Sequence, residues 1–115
     1  MGADSIRILP ETIRSRDSAT FTGSYQTLGS ALSSPARIIK FVNNSNVDVT
    51  ISWDGTNDHD VIPATSAFIL DVAANRQAIQ YGQGQLYVGQ ATQFYVKGAA
   101  GGGNSGLVYL VVFYA

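Results

Sequence analysis

Between Val47 and Trp53 the chain alternates strictly: Val47, Val49, Ile51 and Trp53 fall on one side, and Asp48, Thr50 and Ser52 on the other. Period two over seven residues predicts a half-buried antiparallel strand with Trp53 among its core-facing positions. Ile38 to Val42 predicts another strand ahead of it, separated by a polar turn at Asn43 to Asn46. After Trp53, Asp54-Gly55 supplies a tight reversal, and Thr56 to Asp60 extend it as a polar loop. Val61-Ile62-Pro63 predicts an edge segment, because proline has no donor for a central ladder position. Phe68, Leu70 and Val72 alternate with Ile69 and Asp71 in the next strand. A turn at Ala73 to Arg76, a weaker strand at Ala78 to Tyr81 and a reversal at Gly82 to Gln85 follow.

Phe94 to Val96 predicts a strand ending at Lys97-Gly98, and the glycine-rich run from Gly98 to Gly106 predicts a flexible hairpin loop. Leu107 to Tyr114 is apolar at every position. Such a strand lies centrally in a sandwich or partly at an interface between subunits.

The stretch before Ala36 differs. It is rich in Ser, Thr and Arg, and its one apolar run, Ile6 to Leu9, stops at Pro10. Its large apolar side chains are too sparse to offset the ordering entropy of the backbone, so the pattern predicts an extended arm over residues 1–35 and a folded domain over 36–115. Six to eight short strands at intervals of roughly 8–12 residues, without an amphipathic helix, argue an all-β fold. The expected architecture is an antiparallel β-sandwich, jelly-roll-like, with an N-terminal arm.

Composition narrows the function. Only 13% of the 115 residues are charged, against a typical value of roughly 25%. A surface this poor in charge is weakly protected against association and suits a protein packed against copies or partners. Seven basic and eight acidic residues leave a net charge of −1, which offers no electrostatic footprint for nucleic acid or an anionic membrane. The N-terminus has no continuous apolar leader, and no stretch approaches the ~20 apolar residues of a membrane span.

Candidate chemistry is thin. Zero cysteines and a single histidine, His59, exclude His–Cys dyads and multi-histidine metal sites by counting. His59 sits in a loop between Asp58 and Asp60 with no Gly-x-Ser-x-Gly elbow in the chain, and reads as a solvated loop histidine. The segment Asp54 to Asp60 gathers three carboxylates and Asn57, all hard ligands suited to Ca²⁺. The glycine and glutamate positions of a calcium-binding EF-hand loop are missing, so a polar hairpin loop is the simpler reading. Neither glycine-rich run ends in Gly-Lys-Ser/Thr or leads into a helix, so both are turns rather than phosphate cradles. Glu11 is the sole glutamate, which leaves no paired glutamates for glycoside hydrolysis. Tyr87, Tyr95, Tyr109 and Tyr114 suit a rim or interface, where a ring is buried and its hydroxyl stays wet.

Read whole, residues 36–76 resemble small virion proteins of tailed bacteriophages. The resemblance rests on the Arg37-Ile38-Ile39 strand, the DG-x-NDH loop at Asp54 to His59, the Ile62-Pro63-Ala64 segment and an apolar strand closing on Asp71. Residues 86–98 and the ending from Gly106 to Ala115 look like the same group. The resemblance implies a virion structural role, foremost a capsid cement or decoration protein at the capsid surface, with a head–tail connector or tail accessory component as the alternative. It implies no catalytic residue and no cofactor.

The expected partners are the major capsid protein and further copies of this chain in a homo-oligomer on the particle. Ile6, Ile8 and Leu9 of the arm and Tyr109 and Tyr114 of the last strand are the expected contact residues. A reading from a different class is a carbohydrate-binding sandwich that stacks sugars on Tyr and Trp, and robust sugar binding on a glycan array decides for it.

Overall fold

The computed structural model describes residues 8–71 and 88–114. Nine strands appear among them: β1 (Leu9–Pro10), β2 (Arg14–Asp17), β3 (Gln26–Thr27), β4 (Ala36–Ser45), β5 (Val49–Ser52), β6 (Asp60–Ile62), β7 (Ser66–Asp71), β8 (Tyr95–Lys97) and β9 (Gly106–Tyr114). The turn, strand and reversal expected between Ala73 and Gln85, with Val72, Tyr87 and Ile6, lie outside the described residues.

The strands form two antiparallel sheets. The first runs β1-β9-β4-β7, with β2 also pairing β9; the second runs β3-β8-β5-β6. Counted from β2, the first sheet reads 1-8-3-6 and the second 2-7-4-5, the nested order that a jelly-roll winding produces. The expected all-β antiparallel sandwich is therefore the observed one.

Within the first sheet, β4 and β9 run side by side through nine residue pairs, from Ala36 opposite Tyr114 to Ser45 opposite Gly106. Their inward positions are apolar and closed to solvent: Ile39 and Phe41 from β4, Val108, Leu110 and Val112 from β9. Val49, Ile51, Ile62 and Val96 answer from the second sheet. Phe41 stacks on its cross-strand partner Phe68 with ring centres 5.3 Å apart, and meets Phe94 edge-on at 5.2 Å. Aromatic pairs in these geometries add about 0.5–1.5 kcal/mol beyond the area they bury.

Four expectations need correction. Within the segment expected as an arm, the described residues are not apart from the domain. From Leu9 onward it is woven into both sheets, as β1 and β2 pair β9 while β3 pairs β8. Phe21, Leu28 and Leu32 belong to the core cluster, and Leu28 N–H and Leu32 N–H donate to Phe94 O and Thr92 O, both at 2.9 Å. Few apolar residues suffice here because the segment adds to a core already built by others, so it need not supply one of its own.

Asn43 to Asn46 is not simply a turn, since β4 continues to Ser45 with Asn43 buried. The Asn43 amide donates to the carbonyls of Val47 (2.8 Å), Ile62 (2.9 Å) and Pro63 (3.2 Å), which is how a buried polar side chain is tolerated.

Residues 98–106 do not close a hairpin, because β8 and β9 lie in different sheets. Side chains tie this crossing down: Asn104 donates to Ala99 O (2.7 Å) and Ser18 O (3.1 Å), and Asn46 donates to Gly103 O (2.7 Å).

Trp53 is not a core residue. It follows the end of β5, is 42% exposed, and only its edge-on contact with Phe94, at 4.9 Å, reaches the interior.

Candidate interaction surfaces

Three surface regions carry the residues singled out from sequence. The first is the flank where β1 and β2 lie along β9. Leu9 pairs Tyr114 and Pro10 pairs Phe113. Ile8 and Ile13 stand 47% and 56% exposed on this flank. Beside them a cleft of about 410 Å³ is bounded by the turn from Pro10 to Arg14, by Ser30, Ser33 and Ser34, and by Tyr114.

The floor of that cleft is a buried ion pair. Arg14 Nη2 donates to Glu11 Oε1 at 2.7 Å, with both side chains under a tenth exposed. Arg14 also donates to the carbonyls of Ser30 (2.7 Å), Ala31 (3.0 Å) and Thr12 (3.4 Å). Glu11 accepts from the N–H groups of Ser33 (3.3 Å) and Ser34 (2.9 Å). Buried charges persist only when paired and bonded in this way. Gly29 adopts φ +70°, and a Cβ there would run into the Arg14 side chain, so the chain passes closely over the arginine stem. The pair therefore clips residues 29–34 to β2 and spends its charges doing so. Sequence reading missed it; the only glutamate of the chain three residues before an arginine was the available signal.

The second region is the outward face of the first sheet. Directly opposed residues share a face, so β9 contributes Leu107, Tyr109, Val111 and Phe113, and β4 contributes Ile38, Lys40, Val42 and Asn44. Ala67, Ile69 and Asp71 of β7 and Ser15 and Asp17 of β2 complete it. All four β9 residues are half-buried and Ile69 is 61% exposed. The wholly apolar last strand thus has one face in the core and one presented outward. Tyr109 lies on this face, while Tyr114 lines the cleft, so the two expected contact tyrosines serve different surfaces.

The third region is the loop between β5 and β6. Asp54 Oδ1 accepts from Thr56 N–H (2.8 Å), Asn57 N–H (2.9 Å) and Ser52 O–H (2.9 Å), and Oδ2 accepts from the Asn57 amide (2.8 Å). The N–H groups of Asn57 and Thr56, then the Asn57 and Ser52 side chains, hold its carboxyl far below the usual carboxylate range. Its oxygens shape the turn. Among the described residues no three His, Cys, Asp or Glu side chains gather as a metal site. His59 does more than face solvent, since its Nδ1 accepts from Trp53 N–H at 3.0 Å and its own N–H donates to Ile51 O at 2.9 Å.

Asp58, by contrast, reaches across to other strands. It accepts from the Tyr25 hydroxyl and from Lys97 Nζ at 3.1 Å, and the same ammonium lies 4.6 Å from the Tyr25 ring centre. Partial burial, then the bond to Asp58, push the Tyr25 phenol up to about 12. That bond, and next Lys97, hold the Asp58 carboxyl below its ordinary value. Gly55 packs over the Tyr95 ring at φ +79°, so Tyr95 is roofed by the loop instead of standing at a rim. This triad, also missed from sequence, ties the loop down.

What the geometry defines is a two-sheet antiparallel sandwich with apolar side chains on a flank and on an outer face. No protein-family model matches the chain, and comparison with curated proteins gives no relative. Among solved structures the chain is similar to the Dit (gp 19.1) protein of phage SPP1, described as a hub adsorption apparatus protein of phages infecting Gram-positive hosts. The TM-score is 0.43 and the identity 7%, over 94% of this chain and 49% of that one, so the chain spans about half the length of that protein.

Proposed function

We propose that this protein is a non-enzymatic structural component of a tailed-phage virion, and more finely a capsid cement that seats on the shell through the β1–β2 flank. The observation that carries the reading is the exposure of Ile8 and Ile13 on that flank, next to half-buried Leu9 and the Tyr114 cleft. Large aliphatic side chains held at a sheet margin supply buried area once a neighbour covers them. The low charge of the chain and the resemblance of residues 36–76, 86–98 and 106–115 to small virion proteins support the same assignment.

Cement strengthens a shell by adding buried surface across joints between capsid subunits, and needs no chemistry of its own. The flank and the loop between β5 and β6 fit that role, because their charged groups are engaged in internal ties: Glu11 on Arg14, Asp54 on its own loop, Asp58 on Tyr25 and Lys97.

Quantitative mass spectrometry of purified particles tests this. A copy number near that of the major capsid protein is expected. A count equal to a single ring moves the protein to the tail or connector and overturns the cement assignment. Absence from the particle overturns the virion assignment altogether.

A further inference from the structure

The outward face of the first sheet is not used by the flank contact, and its charges are arranged in a particular way. Tyr109 sits between Val42 of β4 and Ser15 of β2. Lys40 lies one strand to one side of Tyr109 and one outward step toward the end of β9, in the row of Val111. Asp17 lies one strand to the other side and one outward step toward the start of β9, in the row of Leu107. Diagonal neighbours on a pleated face are about 7–8 Å apart, so the backbone positions of Lys40 and Asp17 stand at similar distances on opposite sides of the tyrosine.

From this we infer that the face is self-complementary and docks a second copy of this chain about a two-fold axis over Tyr109. A rotation about an axis lying along the sheet surface, through Tyr109 and perpendicular to the line from Lys40 to Asp17, exchanges those two positions. Each copy then sets its Lys40 against Asp17 of the other, and the two Tyr109 rings meet at the axis. An axis along that line instead sets lysine against lysine and aspartate against aspartate. The charges therefore select one orientation, as isologous contacts require. Around Tyr109, Val42, Val111 and Leu107 provide the apolar centre. Lys40 is flanked on its face by Ile38, Val42, Ile69 and Val111, with Asp71 diagonal to it on β7, so covering the face without an opposing carboxylate withdraws the ammonium from water with only that diagonal carboxylate near it. The inference builds on the reading of this protein as one that works by surface contact, and names one of its partners.

Sedimentation equilibrium of the full chain, from micromolar to near-millimolar protein, tests it. A concentration-dependent dimer is expected that weakens as salt rises. Lys40→Glu alone and Asp17→Lys alone each weaken it about tenfold or more, and the double reversal restores it to within a few-fold, because the opposite pairs re-form. Asp17 also accepts the Ala19 N–H at 2.9 Å, so Asp17→Asn, which keeps that oxygen and removes the charge, serves as the second variant and is expected to weaken the dimer too. Tyr109→Asp abolishes it with the melting temperature of the monomer retained. A monomer at every concentration overturns the two-fold contact while leaving the virion assignment to the particle count. A dimer indifferent to single reversal, or not rescued by the double, overturns this axis.

Discussion

Asn43 of β4 donates its side-chain amide to the main-chain carbonyl of Ile62 at 2.9 Å, a hydrogen bond that joins the first sheet to the edge strand of the second. The same amide serves Val47 O and Pro63 O, so one buried nitrogen organises the chain reversals on both sides of β5 and β6. Replacing it by leucine strands carbonyls away from water, which costs about 1–3 kcal/mol for an unsatisfied group. Asn43→Leu is expected to lower the urea midpoint by a corresponding amount with little change in the slope of the transition. A midpoint at or above that of the parent would mean that these carbonyls find other partners.

The Glu11–Arg14 pair leads to the second expectation. Removing one member leaves the other charged and buried, a loss of about 3–5 kcal/mol. Arg14→Met is therefore expected to destabilise the whole sandwich. Deleting residues 1–35 should prevent stable folding, since Phe21, Leu28 and Leu32 leave the core with it. A truncated chain showing a cooperative thermal transition near that of the full chain would contradict this.

At Gly106 the backbone has φ +94°, and a Cβ there would collide with the carbonyl of Asn44 on the neighbouring strand. Gly106→Ala is expected to destabilise by about 1–3 kcal/mol from conformational strain, and more if β9 shifts to relieve the collision. Gly102→Ala, a few residues earlier, meets nothing within 4 Å and is the matched control. Equal melting temperatures for the two variants would show that the strand tolerates the side chain.

The Tyr25–Asp58–Lys97 group contributes to the pH response at both ends of the range. The folded phenol is raised from 10.0 to about 12, so the protonated form is favoured in the native state. Its contribution is present in full below pH 10 and is lost as pH rises through about 12. Asp58 has its carboxyl lowered in the folded state, so its contribution holds above the unfolded carboxyl value of about 3.9 and is lost as pH falls below that. Tyr25→Phe is expected to flatten the alkaline fall and to soften the acid one. Melting curves from pH 3 to pH 12 that superimpose for parent and variant would dismiss the coupling.

Much of the fold was legible because period two is a local property. The strands around Val49, Phe68 and Tyr95 lie where alternation put them, and Phe68 and Leu70 face inward while Ile69 faces out. Depth was not legible, because it depends on what a segment packs against. Phe21, Leu28 and Leu32 are sparse in sequence but meet a core supplied by residues dozens of positions later. Trp53 keeps the parity of Ile51, yet β5 stops at Ser52 and the ring emerges at the mouth of the sandwich. Composition singled out Tyr109 and Tyr114 as expected contact residues, but their division between outer face and cleft follows from register, which no single strand encodes. Lys40 drew no notice for the same reason. It is one lysine in a strand until β7 and β9 place Ile69 and Val111 beside it.

The pairing of β2 with β9 also governs how the chain comes to be folded. Arg14 finds its strand partner at Leu110, and Leu9 at Tyr114. On the ribosome, β1 and β2 must wait for β9 to emerge before their ladders can close. Until then the inward side of β4, with Ile39 and Phe41, has no β9 beside it. Such long-range closure makes folding slow and exposes apolar strand edges to association. A nascent chain stalled before Gly106 thus keeps the β4 edge unpaired and open to association with other chains.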